Sequence, residues 1–286
     1  MFNLAERNLK IFFRQKGAVF FSLLGVFIIL SLYVLFLGNA WIDYLPKGLS
    51  GAKNLMNSWI IAGIVPVASI TTTMGAFGIM VEDRVQNNSR DFYASPIKRS
   101  KIVGGYILNA FVIGVIMSLI TFAIGEIYIT VSGGTFLSFV SMLKLFYIMI
   151  ISVMASSSMI FFLVSFFSSI SAFTTASTIL GTLIGFLTGI YLPIGTLPDA
   201  VQWIVKLFPI SYAGALMRQI MLEEPVAISF AGVPESYVSD FKRMMGVTYT
   251  YGEYTPTAAM FTLVLIATAF AFFALALWNL SRKRKI

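Results

Sequence analysis

The chain has 286 residues, of which 58% are hydrophobic and 11% are charged, and its formal net charge is +8. This composition is typical of a polytopic membrane protein and leaves no segment for a separate soluble domain of ordinary size. Cysteine and histidine are absent, which excludes disulfides, thiol chemistry, and acid–base or metal chemistry based on these two residues.

Long runs without Asp, Glu, Lys or Arg divide the chain into membrane spans. Four of these runs hold 24 to 28 residues, and a fifth, between Lys144 and Asp199, holds 54. One helical crossing needs about 20 mainly apolar residues, so the longest run accommodates two crossings. We therefore predict an all-α polytopic membrane protein with six transmembrane helices, at residues 18–37, 58–80, 96–130, 145–167, 172–192 and 257–280.

Basic residues are concentrated before the first span, between spans two and three, and after span six. These three segments hold 13 of the 20 Lys and Arg residues. Positive charge in short loops favours the cytoplasmic side of the membrane. The distribution predicts that both termini are cytoplasmic, and it explains the net charge by topology rather than by nucleic-acid binding.

The first 16 residues have helical periodicity and precede the first span. The polar residues Asn3, Arg7, Lys10 and Arg14 share one face of this predicted helix, and apolar residues occupy another. We predict an interfacial helix at residues 1–16, which either anchors the chain to the membrane or also contacts a cytoplasmic partner. The apolar run that follows is too long for a signal-peptide core, so we expect the segment to remain attached.

Polar residues inside two spans leave alternatives open. Hydroxyl side chains at 69 and 71–73 in span two follow Pro66; they either satisfy the backbone of a kinked helix or line a substrate path. Glu126 lies near the outer end of span three, where it is either hydrated or hydrogen-bonded at the interface, or takes part in transport.

Span five carries a ridge of small residues, Gly181, Gly185 and Gly189. Such a ridge allows a second helix to approach closely, either within the subunit or across a dimer. The segment 197–222 then contains two apolar pieces that start at prolines and are too short to cross. We predict a pair of re-entrant helices there, followed by an outer loop at 223–255.

The sequence shows no chemistry of its own for energy coupling. A Gly-Lys dipeptide is absent, which excludes a phosphate-binding loop of the G-x-x-x-x-G-K-[S/T] type. Paired carboxylates are missing from the predicted spans, and so is the histidine that a membrane hydrolase would use as a base. We expect a non-enzymatic subunit that binds no metal or cofactor itself.

The segment from 82 to 99 resembles the loop between spans two and three of ABC-2 type transporter permeases. In that family an acidic–basic cluster leads into a short helix, and a Ser/Thr-Pro-Ile-x-Arg element opens span three. The matching residues are Glu82, Asp83, Arg84, Ser95, Pro96, Ile97 and Arg99. The outer segment is also similar, at Pro193, Leu197, Pro198, Trp203, Phe208, Pro209, Tyr212 and Arg218. One departure is Asn87-Asn88, where the family often has a Gly-Thr pair.

The resemblance implies the membrane half of an ATP-driven exporter, similar to the drug-resistance or daunorubicin branch, in a bacterial plasma membrane. Its partners would be two copies of a separate ABC ATPase, which binds ATP and magnesium, and a second permease copy or a sister permease. The loop at 82–95 would couple to the ATPase, although it could instead be a topology determinant. The expected ATPase-coupling residues are Glu82, Asp83, Arg84, Asp91, Phe92, Tyr93, Ser95, Pro96, Arg99, Arg7 and Arg14.

The expected substrate is amphipathic: drug-like, lipid-like, or a peptide or toxin. By resemblance, spans two and five supply the path, and Thr72, Thr182 and Phe186 are the predicted lining residues. Two other functions remain open from the sequence, namely a stand-alone secondary carrier or channel and a non-transporting membrane sensor or scaffold.

Overall fold

The computed structural model describes residues 1–43, 45, 49–88, 92 and 97–282. A π-helical turn, Tyr33–Leu37, follows the second helix, and a 3-10 turn, Ile194–Thr196, precedes the eighth. In chain order the helices are α1 (Phe2–Arg14), α2 (Lys16–Leu32), α3 (Gly38–Asp43), α4 (Ala52–Val85), α5 (Arg99–Val131), α6 (Phe139–Val164), α7 (Ile170–Leu187), α8 (Asp199–Leu207), α9 (Pro209–Met221), α10 (Glu223–Ser229), α11 (Glu235–Met244) and α12 (Ala258–Arg282).

Within the described ranges, six helices are long and apolar enough to cross a membrane: α2 with its π-helical extension, α4, α5, α6, α7 and α12. This result confirms the prediction of an all-α fold with six spans. The helices extend beyond some predicted limits, since α4 runs from Ala52 to Val85 rather than over 58–80. Hydropathy marks the apolar segment, whereas the backbone hydrogen bonds continue through the charged turns at both ends.

The central helix of the bundle is α4. In the most apolar stretch of α4, 89% of the residues are buried inside the protein, compared with 11% in that of α7. Four other spans, α2, α5, α6 and α7, pack around it together with α9. Large side chains such as Trp59 and Phe77 are fully enclosed. The central helix therefore contacts most of the bundle.

The hydroxyl groups of α4 satisfy its own backbone. Thr71, Thr72 and Thr73 donate to carbonyl oxygens four residues earlier, at 3.1, 2.6 and 2.8 Å. Ser69 donates to the carbonyl oxygen of Pro66 at 2.7 Å. Such bonds are expected beside a proline, which has no N–H and disturbs the helical ladder. All four hydroxyls thus donate to carbonyl oxygens of the same helix, which is compatible with both alternatives.

The ends of α4 define two ends of the bundle. Near its start, Trp59 Nε1 donates to the carbonyl oxygen of Met245 at 2.7 Å. Near its end, Asp83 forms a salt bridge with Arg7 at 2.6 Å. We call these the distal end and the basal end; a rise of 1.5 Å per residue separates positions 59 and 83 by about 36 Å.

Short helices cover the distal end. The axes of α8 and α9 meet at 91°, and the two helices have 9 and 13 residues, so neither alone reaches across a bilayer. Two short helices bent in this way have the geometry of either a re-entrant pair or one broken span. The segment predicted as an outer loop contains α10 and α11. In α11, Glu235 in the first turn and Lys242 and Arg243 in the last complement the helix dipole.

Glu126 has a structural partner at the distal end of α5. Its side chain is buried, and one carboxylate oxygen accepts a hydrogen bond from the backbone N–H of Leu137 at 3.1 Å. This bond holds the connection between α5 and α6. The hydrogen-bonded alternative for Glu126 is therefore the one that the structure shows.

The glycines of α7 do not form one uniform packing ridge. Gly189 has a positive φ of 62° and ends the helix, with Ile190 N donating to the Gly185 carbonyl oxygen at 2.9 Å. This is the hydrogen-bond pattern of a glycine C-terminal cap. A Cβ atom at Gly185 would collide with the ring of Tyr191, whereas one at Gly181 would meet no atom within 4 Å. Of the three, Gly181 faces open space.

Candidate coupling site and membrane groove

A buried carboxylate, Asp83, organises the basal end. It accepts two hydrogen bonds from the Arg7 guanidinium, at 2.6 and 3.0 Å, one from the Tyr106 hydroxyl at 2.7 Å, and one from the Asn88 amide at 3.2 Å. A charge buried in this way is stable because it is both paired and hydrogen-bonded. We call Arg7, Asp83, Asn88, Phe92 and Tyr106 the basal cluster.

The sequence of α1 places Arg7 at this position. Ala5, Asn8 and Phe12 form the buried face of α1, at helical spacing, and Arg7 lies at the border of that face. On the opposing helix α5, a Cβ atom at Gly105 would approach Leu4 to 3.0 Å. Glycine at this position lets α1 lie close against the start of α5.

Arg7 also connects the carboxylate to an aromatic ring of the loop between spans two and three. Its guanidinium carbon lies 5.4 Å from the ring centroid of Phe92, within the range of a cation–π interaction. Phe92 is half-buried. The hydrogen bonds from Arg7 to Asp83 raise the pKa of Arg7, so the guanidinium stays charged at any physiological pH. One side chain therefore links α1, α4 and this loop.

Two further contacts join the basal end into one unit. Arg84 donates to the carbonyl oxygen of Phe167, in the turn between α6 and α7. Asn279, near the end of α12, donates to the Ser165 hydroxyl at 2.6 Å in the same turn. The end of the central helix is thus connected to the ends of α6, α7 and α12.

The predicted coupling residues fall into three groups. Arg7, Asp83 and Phe92 meet in the basal cluster, and Arg84 lies beside it. Glu82 is half-buried, Arg14 is exposed in the last turn of α1, and Arg99 is the first residue of α5. Asp91, Tyr93, Ser95 and Pro96 lie outside the described residues. Sequence reasoning did not assign Tyr106 or Asn88, whose role depends on contact with a buried acid.

A groove of about 850 Å³ opens between α2, α4 and α7. Thr182 and Phe186, both predicted as path residues, line it. Thr72 does not: its side chain is fully buried in the bundle, and the neighbouring Thr71 lines the groove instead. The side chains of consecutive residues in an α-helix point in directions about 100° apart. Thr71 and Thr72 therefore lie on different faces of α4.

The groove is mostly apolar and carries a stripe of hydroxyl groups. Thr174, Thr178 and Thr182, one turn apart on α7, donate to the carbonyl oxygens four residues earlier at 2.8, 3.0 and 2.9 Å. Each hydroxyl oxygen keeps acceptor capacity after this donation. The lining residues that the structure describes carry no charge. Such a surface suits an amphipathic molecule with weak hydrogen-bond donors.

A second buried charge, Arg218 of α9, lies at the distal end. It donates to the carbonyl oxygen of Gly189 at 3.0 Å, at the end of α7, and its guanidinium carbon lies 4.8 Å from the Trp59 ring centroid. A cation is favourable at a helix C-terminus, where carbonyl oxygens concentrate negative charge. A Cβ atom at Gly63 would approach this guanidinium to 2.9 Å, so glycine makes room for it.

Sequence reasoning named Arg218 as a family match without a role. The sequence could have indicated a structural role for Arg218, because a charge in an apolar segment requires a specific buried partner. The partners, two backbone carbonyl groups and one aromatic ring, come from distant parts of the chain.

Comparison with known proteins identifies the family of the chain. A family model for ABC-2 type transporters matches residues 1–222, a range that includes the basal cluster, the groove and the bent pair α8–α9. None of the curated proteins matches the chain. The chain belongs to the ABC-2 type transporter family. It is a multi-pass membrane protein and the permease component of an ABC transporter, and its family implies partnership with an ABC ATPase.

The pairing of Arg7 with Asp83 can be tested by a double-mutant cycle. We expect Arg7→Gln and Asp83→Asn each to lower the thermal unfolding temperature of the purified protein, and the double variant to lose less than the sum. The coupling should be on the order of 1 kcal/mol, since water screens the 36% exposed Arg7 side chain.

Lys10 and Glu6 form a matched control, because they pair at 2.7 Å on the same helix but are both exposed. Lys10→Gln and Glu6→Gln should show no measurable coupling. Strictly additive effects at Arg7 and Asp83 would contradict the assigned contact.

Proposed function

We propose that this chain is the permease subunit of an ABC exporter in a bacterial plasma membrane, with both termini in the cytoplasm. Two copies of a separate ATPase subunit bind ATP and magnesium and drive it, whereas this chain hydrolyses no ATP. The observation that carries the proposal is the basal cluster. It joins an amphipathic surface helix and the loop between spans two and three to the end of the most buried helix of the bundle.

The arrangement supports mechanical coupling. An ATPase that contacts the loop at Asp91, Phe92 and Tyr93 displaces Phe92, which lies against Arg7. Arg7 is bonded to the carboxylate of Asp83, and Asp83 is part of α4. Because α4 contacts most of the other spans, a displacement at its basal end changes the packing around the groove.

The exposed face of α7 supports a dimer of permease subunits. Only 11% of the residues in the most apolar stretch of this span are buried, and Gly181 on it faces open space. Helices that associate in membranes use small residues for close approach. In a homodimer, α7 of each copy covers the groove of the other copy. The two covered grooves then enclose a path between the subunits.

The substrate is proposed to be amphipathic: drug-like, lipid-like, or a peptide or toxin. The groove supports this class because its described lining is uncharged, mostly apolar, and carries hydroxyl groups on one face. Transport is directed from the basal to the distal end. The path residues are Thr71, Thr182 and Phe186, with Thr71 in place of Thr72.

Coupling to an ATPase can be tested by co-purification. When the chain is co-expressed with its ABC ATPase, we expect Phe92→Ala to reduce the recovered ATPase about tenfold or more, because buried aromatic anchors dominate interfaces. Asp91→Ala should act in the same direction. Phe139→Ala, at an exposed aromatic residue at the start of α6, is the control and should leave recovery unchanged. Substrate transport in vesicles that lack any ATPase would overturn the proposal in favour of a secondary carrier.

The dimer can be tested by cysteine cross-linking, because the chain has no native cysteine. Single cysteines at Ile179 or Leu183, 56% and 47% exposed on α7, should form disulfide-linked dimers in oxidised membranes. A cysteine at Leu263, 63% exposed on α12, is the control and should remain monomeric. Cross-linking at Leu263 with none on α7 would place the interface elsewhere.

The groove can be tested by the ATPase activity of the assembled transporter. Thr182→Val and Phe186→Ala should lower the stimulation by amphipathic compounds at least several-fold and leave the basal rate unchanged. Thr262→Val on α12 is the control, because the exposed Thr262 hydroxyl also donates to the carbonyl oxygen four residues earlier, at 2.9 Å. This variant should leave the stimulation unchanged. Unchanged stimulation in both groove variants would exclude this path.

A further inference from the structure

A second, partly open cavity lies at the distal end, outside the membrane groove. Its volume is about 710 Å³, and it lies between α8, the 3-10 turn Ile194–Thr196 and α11. None of its described lining residues also lines the groove. It lies near the Met245 end of the bundle, about 36 Å along α4 from the basal cluster. The cavity is therefore separate from both parts of the proposed transport machinery.

The walls of this distal cavity resemble those of small-molecule sites. The buried side chains of Ile194, Phe230, Phe241 and Tyr249 form its apolar surface. Binding sites for organic ligands have volumes of about 300–1,000 Å³ and are lined mainly by apolar and aromatic groups with a few placed polar groups. Burial raises the pKa of Tyr249, whose hydroxyl donates to the Ser211 carbonyl oxygen at 3.1 Å. This bond joins the wall to the start of α9.

Lys206, one of two cations that line the cavity, has donor capacity to spare. The Lys206 ammonium donates to the carbonyl oxygen of Thr250 at 3.0 Å and lies 5.8 and 5.5 Å from the ring centroids of Trp203 and Tyr251. An ammonium group has three N–H donors, and this bond uses one. No salt bridge between described residues involves Lys206, although Asp199 interacts with it electrostatically.

The charge of the lining favours an anion. Asp240 and Arg243 at the rim pair with each other at 2.9 Å. Lys206 and Arg243 against Asp240 leave one net positive charge among the described lining residues, and Asp199, outside the lining, offsets part of the charge of Lys206. The cation at Lys206 is half-buried, so an anionic group beside it would be less screened than at the surface.

Helix α11 closes one side of the cavity. A Cβ atom at Gly195 would lie 2.6 Å from the Cα atom of Met244, so the 3-10 turn and the end of α11 are in direct backbone contact there. Gly232 and Gly246, with φ values of 80° and 66°, lie on either side of this helix. The cavity is thus covered by one short amphipathic helix between two glycine turns.

We propose that the distal cavity binds an amphiphile with a single anionic head group and one apolar body. The head group accepts hydrogen bonds from Lys206, and the apolar body lies against Phe230, Phe241 and Ile194. This site is additional to the transport path, and it does not depend on the proposed coupling to an ATPase. Such a molecule could reach it from the aqueous phase or from the bilayer.

Binding can be measured with the full chain in nanodiscs of phosphatidylcholine, after subtraction of empty discs. The probes are dansyl-undecanoic acid and its methyl ester, which lacks the negative charge. We expect saturable binding of the acid that Lys206→Gln weakens about tenfold, as for one lost charge-assisted hydrogen bond. Lys206→Arg should retain it. Affinity for the ester should change less than about twofold in both variants, which shows that the cavity is intact.

Two controls define the site. Lys144→Gln changes a lysine that lines a different cleft, near Glu223, and should leave binding of the acid unchanged. Val233→Trp adds bulk inside the distal cavity and should abolish binding of both probes. Equal affinity of the acid for wild type and Lys206→Gln, or undiminished binding to Val233→Trp, would overturn the proposal.

The source of the ligand can be distinguished by photolabelling. One arm adds a photoactivatable fatty acid from the aqueous phase, and the other incorporates a photoactivatable lysophosphatidylglycerol in the nanodisc. Labelled peptides from residues 230–250 in the first arm alone indicate a water-borne ligand, and those in the second arm indicate a bilayer lipid. Labelling confined to the groove between α2 and α7, or absent in both arms, would contradict a distal site.

Discussion

The bonding of one buried carboxylate, Asp83, joins the surface helix α1 and the start of α5 to the basal end of the central helix. Asp83 lies in the most buried helix, yet its charge is compensated by a residue of the surface helix α1 and by a tyrosine of α5. A carboxylate in an apolar bundle is stable only with such partners. The same requirement that makes the bundle stable therefore fixes the position of α1 and the adjoining loop, where an ATPase would bind.

The distal end follows the same physical rule with the opposite charge. Arg218 of the short helix α9 is buried, and it is compensated by carbonyl oxygens at the end of α7 and by the ring of Trp59. Each end of α4 is thus joined to a helix that is too short to cross a bilayer alone. In the proposed mechanism, α4 connects a basal movement to the distal end of α7, and so to the outer limit of the groove.

Several members of the basal cluster could be predicted to lie near one another from the sequence, because they belong to one segment with a recognisable pattern. Asp83, Arg84 and Phe92 belong to that segment, and the helical periodicity of α1 placed Arg7 on a polar face. Tyr106 and Asn88 were not predicted, since nothing local distinguishes them before a buried acid is in contact. Thr72, predicted by resemblance to line a substrate path, lies next to the groove-lining Thr71, because resemblance over a span does not fix which face of the helix a residue occupies.

The sequence by itself determined the class of protein, the number of spans and the presence of an amphipathic first helix. Those properties depend on the length of the apolar segments and the spacing of the charges. The bilayer thickness sets the first, and the orientation of the chain in the membrane depends on the second. The tertiary structure alone decided which polar groups meet: Arg7 with Asp83, Arg218 with the end of α7, and Lys206 with an aromatic-lined cavity. Their partners are remote in the chain, and the energy of a buried charge depends on which atoms surround it.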